Sequence, residues 1–411
     1  MATIRPFQCV RPRADVAERV AALPYDVYNR QEAKEEVKRE PLSFLKIDRA
    51  ETSFDDTVDT YAPEVYEKAK ELLQKDMQEG IYEKDSSEAY YVYELVMDGR
   101  SQTGLVACAA VDDYVNNVIK KHENTRADKE IDRMTHVDVC SAQTGPIFLA
   151  YRSQQTINEI VSKVKKTQPL YDFTAVDSIT HRVWKIDDNT DVDAIQKAFQ
   201  NIDRIYIADG HHRAASAVKV GLKRREENPD HNGREEYNYF LSVLFPHDQL
   251  MIMDYNRTVK DLNGLTKEEF FQRVQENFRI EEKETPVKPE VKGTFGMYVD
   301  GKWYQLTAKP QLFEGKDAVG SLDVSILQDY LLEPVLGIGD PRTDARIDFV
   351  GGIRGLSELE KRAREDMTVS FSLYPTSITE LFDVADQNLL MPPKSTWFEP
   401  KLRSGLFIHE I

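Results

Sequence analysis

The sequence predicts an α+β protein of two domains, and three observations support this prediction. The apolar run 202–208 precedes an Asp-Gly pair and then a helical repeat of alanine and valine, which together predict a buried strand, a tight turn and a helix. Runs rich in β-branched and aromatic residues alternate with amphipathic helical patterns elsewhere in the chain. The pattern changes character near 262–266, so we expect a first domain over 1–262 and a C-terminal α+β domain over 263–411.

The composition is that of a globular protein, with 41% hydrophobic and 30% charged residues. A net charge of −17 argues against a nucleic-acid partner, because binding nucleic acid needs a basic face. Cys9, Cys108 and Cys140 lack metal-ligand spacing, so we expect reduced thiols in a cytoplasmic protein. We expect neither a signal peptide nor a membrane partner, since no run approaches the roughly 18 apolar residues of a membrane span.

Several elements are predicted before residue 112. Asp26 follows a proline in a loop, where it could cap a turn or serve as a site carboxylate; the residues alone favour the cap. The short apolar run 43–47, which contains Lys46, predicts a strand. An amphipathic pattern that starts with proline predicts a helix over 63–79. Two β-rich stretches within 90–111 are separated by Asp-Gly, which is a hairpin signal.

The polar stretch 121–126 reads Lys-His-Glu-Asn-Thr-Arg and is a candidate for a functional site. His122-Glu123 begins like a zinc-protease motif, but Arg126 stands where the second histidine would be, so a metal site is disfavoured. The charges could clamp a phosphate and supply a base. Alternatively the stretch is a solvated connection, which the residues alone favour. The polar run continues to His136.

Helical and strand patterns alternate through the rest of the chain. Helices are predicted at 157–166, 191–199, 267–278, 322–332 and 356–364, and strands at 181–186, 239–245, 250–254, 295–299, 302–306, 347–350 and 369–373. Asp-Gly at 300–301 predicts a hairpin between two of these strands. The tail from Met391 is rich in proline and carries Lys401 and Arg403. It either returns to the functional site or straps across the surface.

The turn at 209–213, Asp-Gly-His-His-Arg, is the strongest site candidate. A helix that begins just after a glycine turn presents unpaired N–H groups and the positive end of its dipole, which together bind anions such as phosphate. Cations oppose the dipole at this end, so Arg213, and His211 and His212 if protonated, make sense when an anion lies between them. The alternative is an ordinary strand-to-helix turn with solvated polar residues.

The Asp-Gly-His-His-Arg turn resembles the motif of the ParB/sulfiredoxin-like superfamily, in the form found in its free-serine kinases. A longer family of serine-kinase-like proteins shares the motif, and six further stretches of this chain resemble that family. They are 24–27, 43–46, 121–126, 144–146, 340–344 and 391–396. The resemblance implies a ParB/sulfiredoxin-like nucleotide-binding core with insertions, followed by the C-terminal α+β domain.

The function implied by the resemblance is phosphoryl transfer from ATP or ADP, with Mg²⁺, to the hydroxyl of free L-serine. Catalytic carboxylates are implied at Asp209, Glu123 and Asp26, with Asp209 also binding the metal. The resemblance further implies phosphate contacts from Gly210, His211, His212, Arg213 and Ala214, and substrate contacts from Lys46, Lys121, His122 and Arg126.

Other branches of the superfamily restrict the chemistry. Sulfiredoxins carry a reactive cysteine where this chain has His211, so thiol chemistry is not expected at this turn. ParB proteins need a helix-turn-helix, and the sequence contains no basic recognition helix. Two other functions stay open: a nucleotide-binding regulatory module without phosphotransfer, and a metal-dependent phosphohydrolase that uses the histidines and Asp209.

Overall fold

The computed structural model describes Met1–Ile411 and divides into two compact units. The first consists of Met1–Leu250 together with Pro400–Ile411, and the second is Met251–Glu399. The first unit thus ends before residue 262, and the end of the chain belongs to it rather than to the C-terminal unit. Strand pairing explains both differences, since 251–253 pairs with 397–399 and 409–410 pairs with 142–143.

A nine-stranded mixed sheet forms the centre of the first unit. Its strands, and the short strands beside it, are β1 (Ile4–Arg5), β2 (Val10–Pro12), β3 (Tyr82–Lys84), β4 (Tyr90–Met97), β5 (Arg100–Ala110), β6 (Ile119–Lys120), β7 (Ala142–Gln143), β8 (Ile147–Tyr151), β9 (Tyr171–Thr174), β10 (Thr180–Ile186), β11 (Ile205–Asp209) and β12 (Tyr239–Pro246). The sheet order is β6-β11-β8-β12-β5-β4-β10-β9, with β1 paired to β5. The β11–β6 and β12–β8 pairs are parallel and the others antiparallel.

Nine α-helices belong to this unit. They are α1 (Ala17–Val20), α2 (Arg30–Arg39), α3 (Leu45–Asp48), α4 (Pro63–Gln78), α5 (Val111–Val115), α6 (Ala127–Cys140), α7 (Gln155–Val164), α8 (Asn189–Phe199) and α9 (His211–Glu227). Apolar residues of α7, α8 and α9 pack with the sheet in the main core. Residues of α2, α3 and α4 form a second apolar cluster. The packed core fixes the end of β11 and the start of α9, where the candidate site lies.

The second unit is built on a six-stranded antiparallel sheet, ordered β15-β17-β16-β19-β14-β18, with a separate β13–β20 pair. Its elements are β13 (Met251–Met253), β14 (Tyr255–Val259), α10 (Lys267–Asn277), β15 (Phe278–Lys283), β16 (Thr294–Val299), β17 (Lys302–Ala308), α11 (Asp323–Leu327), β18 (Ile347–Gly351), α12 (Leu356–Glu365), β19 (Val369–Leu373), α13 (Ile378–Asp386) and β20 (Trp397–Glu399). The returning segment of the first unit adds β21 (His409–Glu410).

The mixture of helices and sheets confirms the predicted α+β class. The Asp98-Gly99 and Asp300-Gly301 hairpin turns also form as predicted, with all four residues at positive φ. No helix combines the length and apolar character needed to cross a membrane.

Two sequence predictions differ from the structure. The predicted strand at 43–47 is wrong, because Leu45–Asp48 forms a helical turn. Periodicity cannot separate a strand from a helix in so short an apolar run. The polar run after 126 is the helix α6, which buries Glu130, Arg133 and His136 at a spacing of three residues. Its buried face is polar, so hydrophobic periodicity did not reveal it.

Candidate active site

The turn between β11 and α9 is shaped by Gly210. This residue has φ 91° and precedes the first residue of the helix. A Cβ atom at Gly210 would lie 3.0 Å from Nε of Arg213, so a side chain is disfavoured by backbone conformation and would press against Arg213. The guanidinium of Arg213 therefore lies against the turn itself.

The backbone donors of the turn are fewer than the sequence predicted. The Gly210 N–H donates to Oδ1 of Asp209 at 2.8 Å, and the Ala214 N–H donates to the Gly210 carbonyl at 2.9 Å. Ala214 is thus an interior helix residue and cannot offer its N–H to a phosphate. The N–H groups of 211–213 are the first-turn donors, at the positive end of a 17-residue helix.

Asp209 is held between cations at the end of β11. Its Oδ2 lies 3.2 Å from Nζ of Lys401, and 35% of its side chain is exposed. Burial opposes ionisation, but the charges of Lys401 and Arg213 outweigh it and hold the pKa of Asp209 well below the usual range. Asp209 is therefore a carboxylate at neutral pH. Lys401 is not among the site residues that the sequence predicts.

The guanidinium of Arg213 bridges two turns. Its Nη1 donates to the Pro146 carbonyl at 2.6 Å, and its Cδ lies 3.7 Å from where a Cβ of Gly145 would be. These contacts fix the side chain beside the start of α9. The structure therefore brings together two predicted stretches, 144–146 and 209–213.

His122 and His211 form a buried pair beside the turn. Their ring centroids are 4.5 Å apart and the rings are nearly perpendicular. Burial lowers the pKa of His122 to about 4, and burial with the neighbouring His122 places the pKa of His211 well below its ordinary value. Both rings are neutral at pH 7 and add no positive charge. Nδ1 of His122 and Nε2 of His211 are buried without a hydrogen-bond partner, so each could accept a contact from a ligand.

The loop at 121–126 reaches the turn with two groups besides the ring of His122. Oε2 of Glu123 lies 3.8 Å from Nδ1 of His211, and the Arg126 backbone N–H donates to Nε2 of His212 at 3.0 Å. The Arg126 guanidinium instead pairs with Asp128.

Three other residues predicted for the site have different surroundings from one another. Lys121 lies over the ring of Tyr114, with Nζ 4.3 Å from the centroid. Asp26 is exposed in a short 3-10 turn, close enough that its charge acts on His212. Lys46 forms an ion pair with Asp76, and this contact does not belong to the turn.

A pocket beside Arg213 contains residues that the sequence did not single out. It is a small cavity of about 30 Å³. Its polar lining consists of Tyr25, Asp48, Arg133, His136, Gln143, Thr144, Arg213 and Ser404. The three-residue spacing of Glu130, Arg133 and His136 was the available signal for α6, because it places all three on one helix face.

Two contacts organise the polar side of this pocket. The guanidinium of Arg133 pairs with Asp132 at 3.0 Å and lies 4.1 Å from the ring centroid of Tyr25. The hydroxyl of Thr144 donates to Asp48 at 3.0 Å. The pocket thus presents both a buried cation and a buried carboxylate next to Arg213.

The side chains at the turn suit Mg²⁺ better than Zn²⁺. Nowhere in the chain do three or more His, Cys, Asp or Glu side chains group in a way that could bind a metal ion. This arrangement does not resemble the three-ligand protein sites of zinc hydrolases. Mg²⁺ in nucleotide enzymes is usually bound by one or two carboxylates together with substrate phosphates. Asp209, ionised at the turn, fits that requirement.

The chain belongs to the family described as Protein of unknown function (DUF1015), whose profile matches residues 4–325. No curated protein matches the sequence significantly.

Several solved structures are similar to this chain in structure, at low sequence identity. A free serine kinase mutant in complex with AMP is 13% identical, with a TM-score of 0.36, over 73% of this chain and 92% of its own. SbnI with a C-terminal truncation, from Staphylococcus aureus, is 12% identical, with a TM-score of 0.38, over 72% and 85%. A conserved hypothetical protein from Pyrococcus furiosus is 14% identical, with a TM-score of 0.34, over 74% and 94%. At this level of similarity, function has to be argued from the site.

Proposed function

We propose that this protein is a kinase that transfers a phosphoryl group from ATP or ADP to the hydroxyl of free L-serine, on a ParB/sulfiredoxin-like core. The observation that carries the proposal is the turn at 209–213. It combines three first-turn N–H groups, the guanidinium of Arg213 and the carboxylate of Asp209 at one helix start. Phosphoryl transfer depends mainly on positioning and on neutralising charge, which are the properties of this turn.

Phosphate binding is assigned to the helix start. The N–H groups of 211–213 donate to phosphate oxygens, and Arg213 adds charge-assisted hydrogen bonds. The neutral His122–His211 pair adds no charge to this site. Among the side chains of the first turn of α9, Arg213 is the one permanent cation, so the turn binds an anion without the repulsion that three cations there would create.

Asp209 is assigned to Mg²⁺ rather than to proton transfer. Its low pKa makes it a weak base, whereas an ionised carboxylate is a good ligand for a hard cation. Bound Mg²⁺ would neutralise charge on the phosphates. Glu123 and the exposed Asp26 are the two remaining carboxylates proposed to accept the proton of the serine hydroxyl as its oxygen bonds to phosphorus and the bond to the nucleotide breaks.

Glu123 is the stronger of these two candidates because it lies next to the turn. Glu123→Gln should lower turnover by about 10²-fold or more, the usual contribution of a general base, while nucleotide affinity stays unchanged. Asp128→Asn is the matched control, since Asp128 is an exposed carboxylate of the same region that pairs with Arg126. Steady-state kinetics on both folded variants measures the effect. Wild-type turnover in Glu123→Gln would move the proton-accepting role to Asp26.

Phosphorus NMR tests the function itself. The protein is incubated with ATP or ADP, Mg²⁺ and either L-serine or L-alanine, which lacks the hydroxyl. A new phosphoester signal with L-serine alone is the expected result. Binding of nucleotide without product would indicate a regulatory module, and release of phosphate independent of serine would indicate a hydrolase.

A further inference from the structure

The C-terminal segment Pro400–Ile411 brings two cations into the first unit. Lys401 and Arg403 are two residues apart, but their surroundings differ. Arg403 has only 4% of its side chain exposed, whereas Lys401 has 20% exposed and lies at Asp209. One residue is therefore inside the protein and the other is at the candidate site.

Arg403 fastens the segment to the sheet. Its Nε donates to Nε2 of His181 at 3.2 Å, and its Nη2 pairs with Asp177. Because Nε2 of His181 accepts this bond, the ring proton is on Nδ1, which donates to the hydroxyl of Tyr93 at 2.8 Å. Burial and the charge of Arg403 keep the pKa of His181 well below its ordinary value, so the ring stays neutral and the contact persists at neutral pH.

The backbone next to Arg403 is also fixed. The Ser404 N–H donates to the Ala22 carbonyl at 2.8 Å, and the Ala22 N–H donates back to the Ser404 carbonyl at 3.2 Å. These bonds anchor the backbone three residues after Lys401.

The position of Lys401 is not explained by stability. The Lys401–Asp209 pair is largely removed from water, so the cost of desolvation offsets its attraction and the pair is weak evidence of a stabilising role. Lys401 also lies near the positive end of α9, where the dipole disfavours a second cation beside Arg213. An anion bound at the turn would remove this conflict.

We propose that Lys401 is a phosphate-binding residue of the turn, and that Arg403 is the positioning residue that presents it. This inference rests on the proposed function. Lys401 pairs with Asp209 when no nucleotide is bound and with the terminal phosphate when nucleotide is present. The exchange frees the Asp209 carboxylate for Mg²⁺, so nucleotide and metal binding support each other.

Calorimetric titration with ADP and Mg²⁺ tests this proposal on the full chain. Lys401→Gln should weaken ADP binding about ten- to a hundredfold, as expected for the loss of one charge-assisted contact. Lys401→Arg should recover most of the affinity because it keeps the charge. Glu410→Gln is the matched control, since Glu410 lies in the same segment and forms an exposed ion pair with Lys84. It should bind ADP like the wild type.

Arg403 is tested by its coupling to Lys401. Arg403→Lys retains the charge but cannot reproduce the Nε contact with His181, and it should weaken ADP binding in the same direction as Lys401→Gln. The double variant should bind no worse than Lys401→Gln alone, because Arg403 acts through Lys401. A purely structural role would instead give additive losses, which would overturn the positioning assignment.

The outcomes separate this proposal from the function beneath it. Wild-type affinity in a folded Lys401→Gln protein overturns the role of Lys401 and leaves the kinase proposal standing. Absence of binding of both ADP and ATP by the wild type overturns both.

Discussion

The two units differ in their buried histidines and carboxylates. All eight histidines lie in the first unit and none in 251–399. Ring nitrogens of His122 and His211 are buried there without partners. In the second unit, the buried carboxylate of Asp323 accepts the Gly293 N–H with both oxygens, at 3.0 and 2.9 Å. The first unit thus carries unsatisfied polar atoms at one helix start, where a ligand could complete them.

Two arginines, Arg257 of the second unit and Arg213 of the first, differ in a similar way. It is buried in the second unit and donates to the carbonyls of Tyr255 and Lys394, so backbone atoms hold it in place. Burial lowers its pKa to about 10. Arg213 of the first unit uses one nitrogen for a carbonyl and lies at a helix start instead. Burial of an arginine therefore does not by itself indicate a ligand site. The hydrogen-bond donors beside the arginine and their orientation indicate it.

The largest expected effect separates Asp209 from Asp323. Asp209→Asn should lower turnover roughly 10²–10³-fold, because it removes the carboxylate assigned to Mg²⁺, while the melting temperature changes little. Asp323→Asn should leave turnover unchanged and alter the stability of the second unit. Kinetics and thermal unfolding of both variants measure this. Equal effects of the two variants on turnover would erase the contrast between the units.

Acid should shift the stability of the two units in opposite directions. Below pH 6.5 the unfolded chain protonates a histidine that folded His122 leaves neutral until about pH 4, so the first unit loses stability as the pH falls. Burial raises the pKa of Asp323 to about 7, so folded Asp323 keeps its proton at pH values where the unfolded chain releases it. The second unit therefore gains stability from pH 8 to pH 5. Each change is on the order of 2 kcal/mol.

Hydrogen exchange on the full chain, corrected for intrinsic rates, resolves these trends by peptide. Asp323→Asn should remove the trend of the second unit and leave that of the first. The same direction of change in both units would contradict the assigned protonation states.

A smaller effect distinguishes two glycines with similar backbone conformations. Gly210 has φ 91° and Gly301 has φ 75°, so alanine at either position should cost about 1 kcal/mol of stability. Only Gly210→Ala places a Cβ against Arg213, since nothing lies within 4 Å of the corresponding position at Gly301. We therefore expect weaker nucleotide binding in Gly210→Ala alone. Equal affinity in both variants would mean that the conformation of Arg213 does not matter.

The sequence predicted features that depend on local patterns. The strand, glycine turn and helix at 202–220 are local, as are the Asp-Gly hairpins, and all of them form. Helix α6 was missed because its buried face is polar rather than apolar. Lys401 lies 192 residues from Asp209 in the chain, and a contact between such distant residues cannot be predicted from local residue spacing.

The directions in which side chains point at the candidate site could not be predicted from the sequence either. Charge density at 121–126 singled out a stretch that does reach the turn, but it could not show that Glu123 faces His211 while Arg126 pairs with Asp128. The same limit applies to Lys46, whose ammonium group forms an ion pair with Asp76. Packing of distant segments decides these directions.

The most direct test of the phosphate site is a calorimetric titration of the wild type and of Arg213→Ala with ADP and Mg²⁺. Loss of one charge-assisted contact should weaken binding by about 1.5–3 kcal/mol, or roughly ten- to a hundredfold. Arg346→Ala in the second unit, which removes an exposed pair with Asp261, serves as the control and should bind like the wild type. The account predicts saturable binding that Arg213→Ala weakens and Arg346→Ala does not. Equal affinity in all three proteins would contradict it.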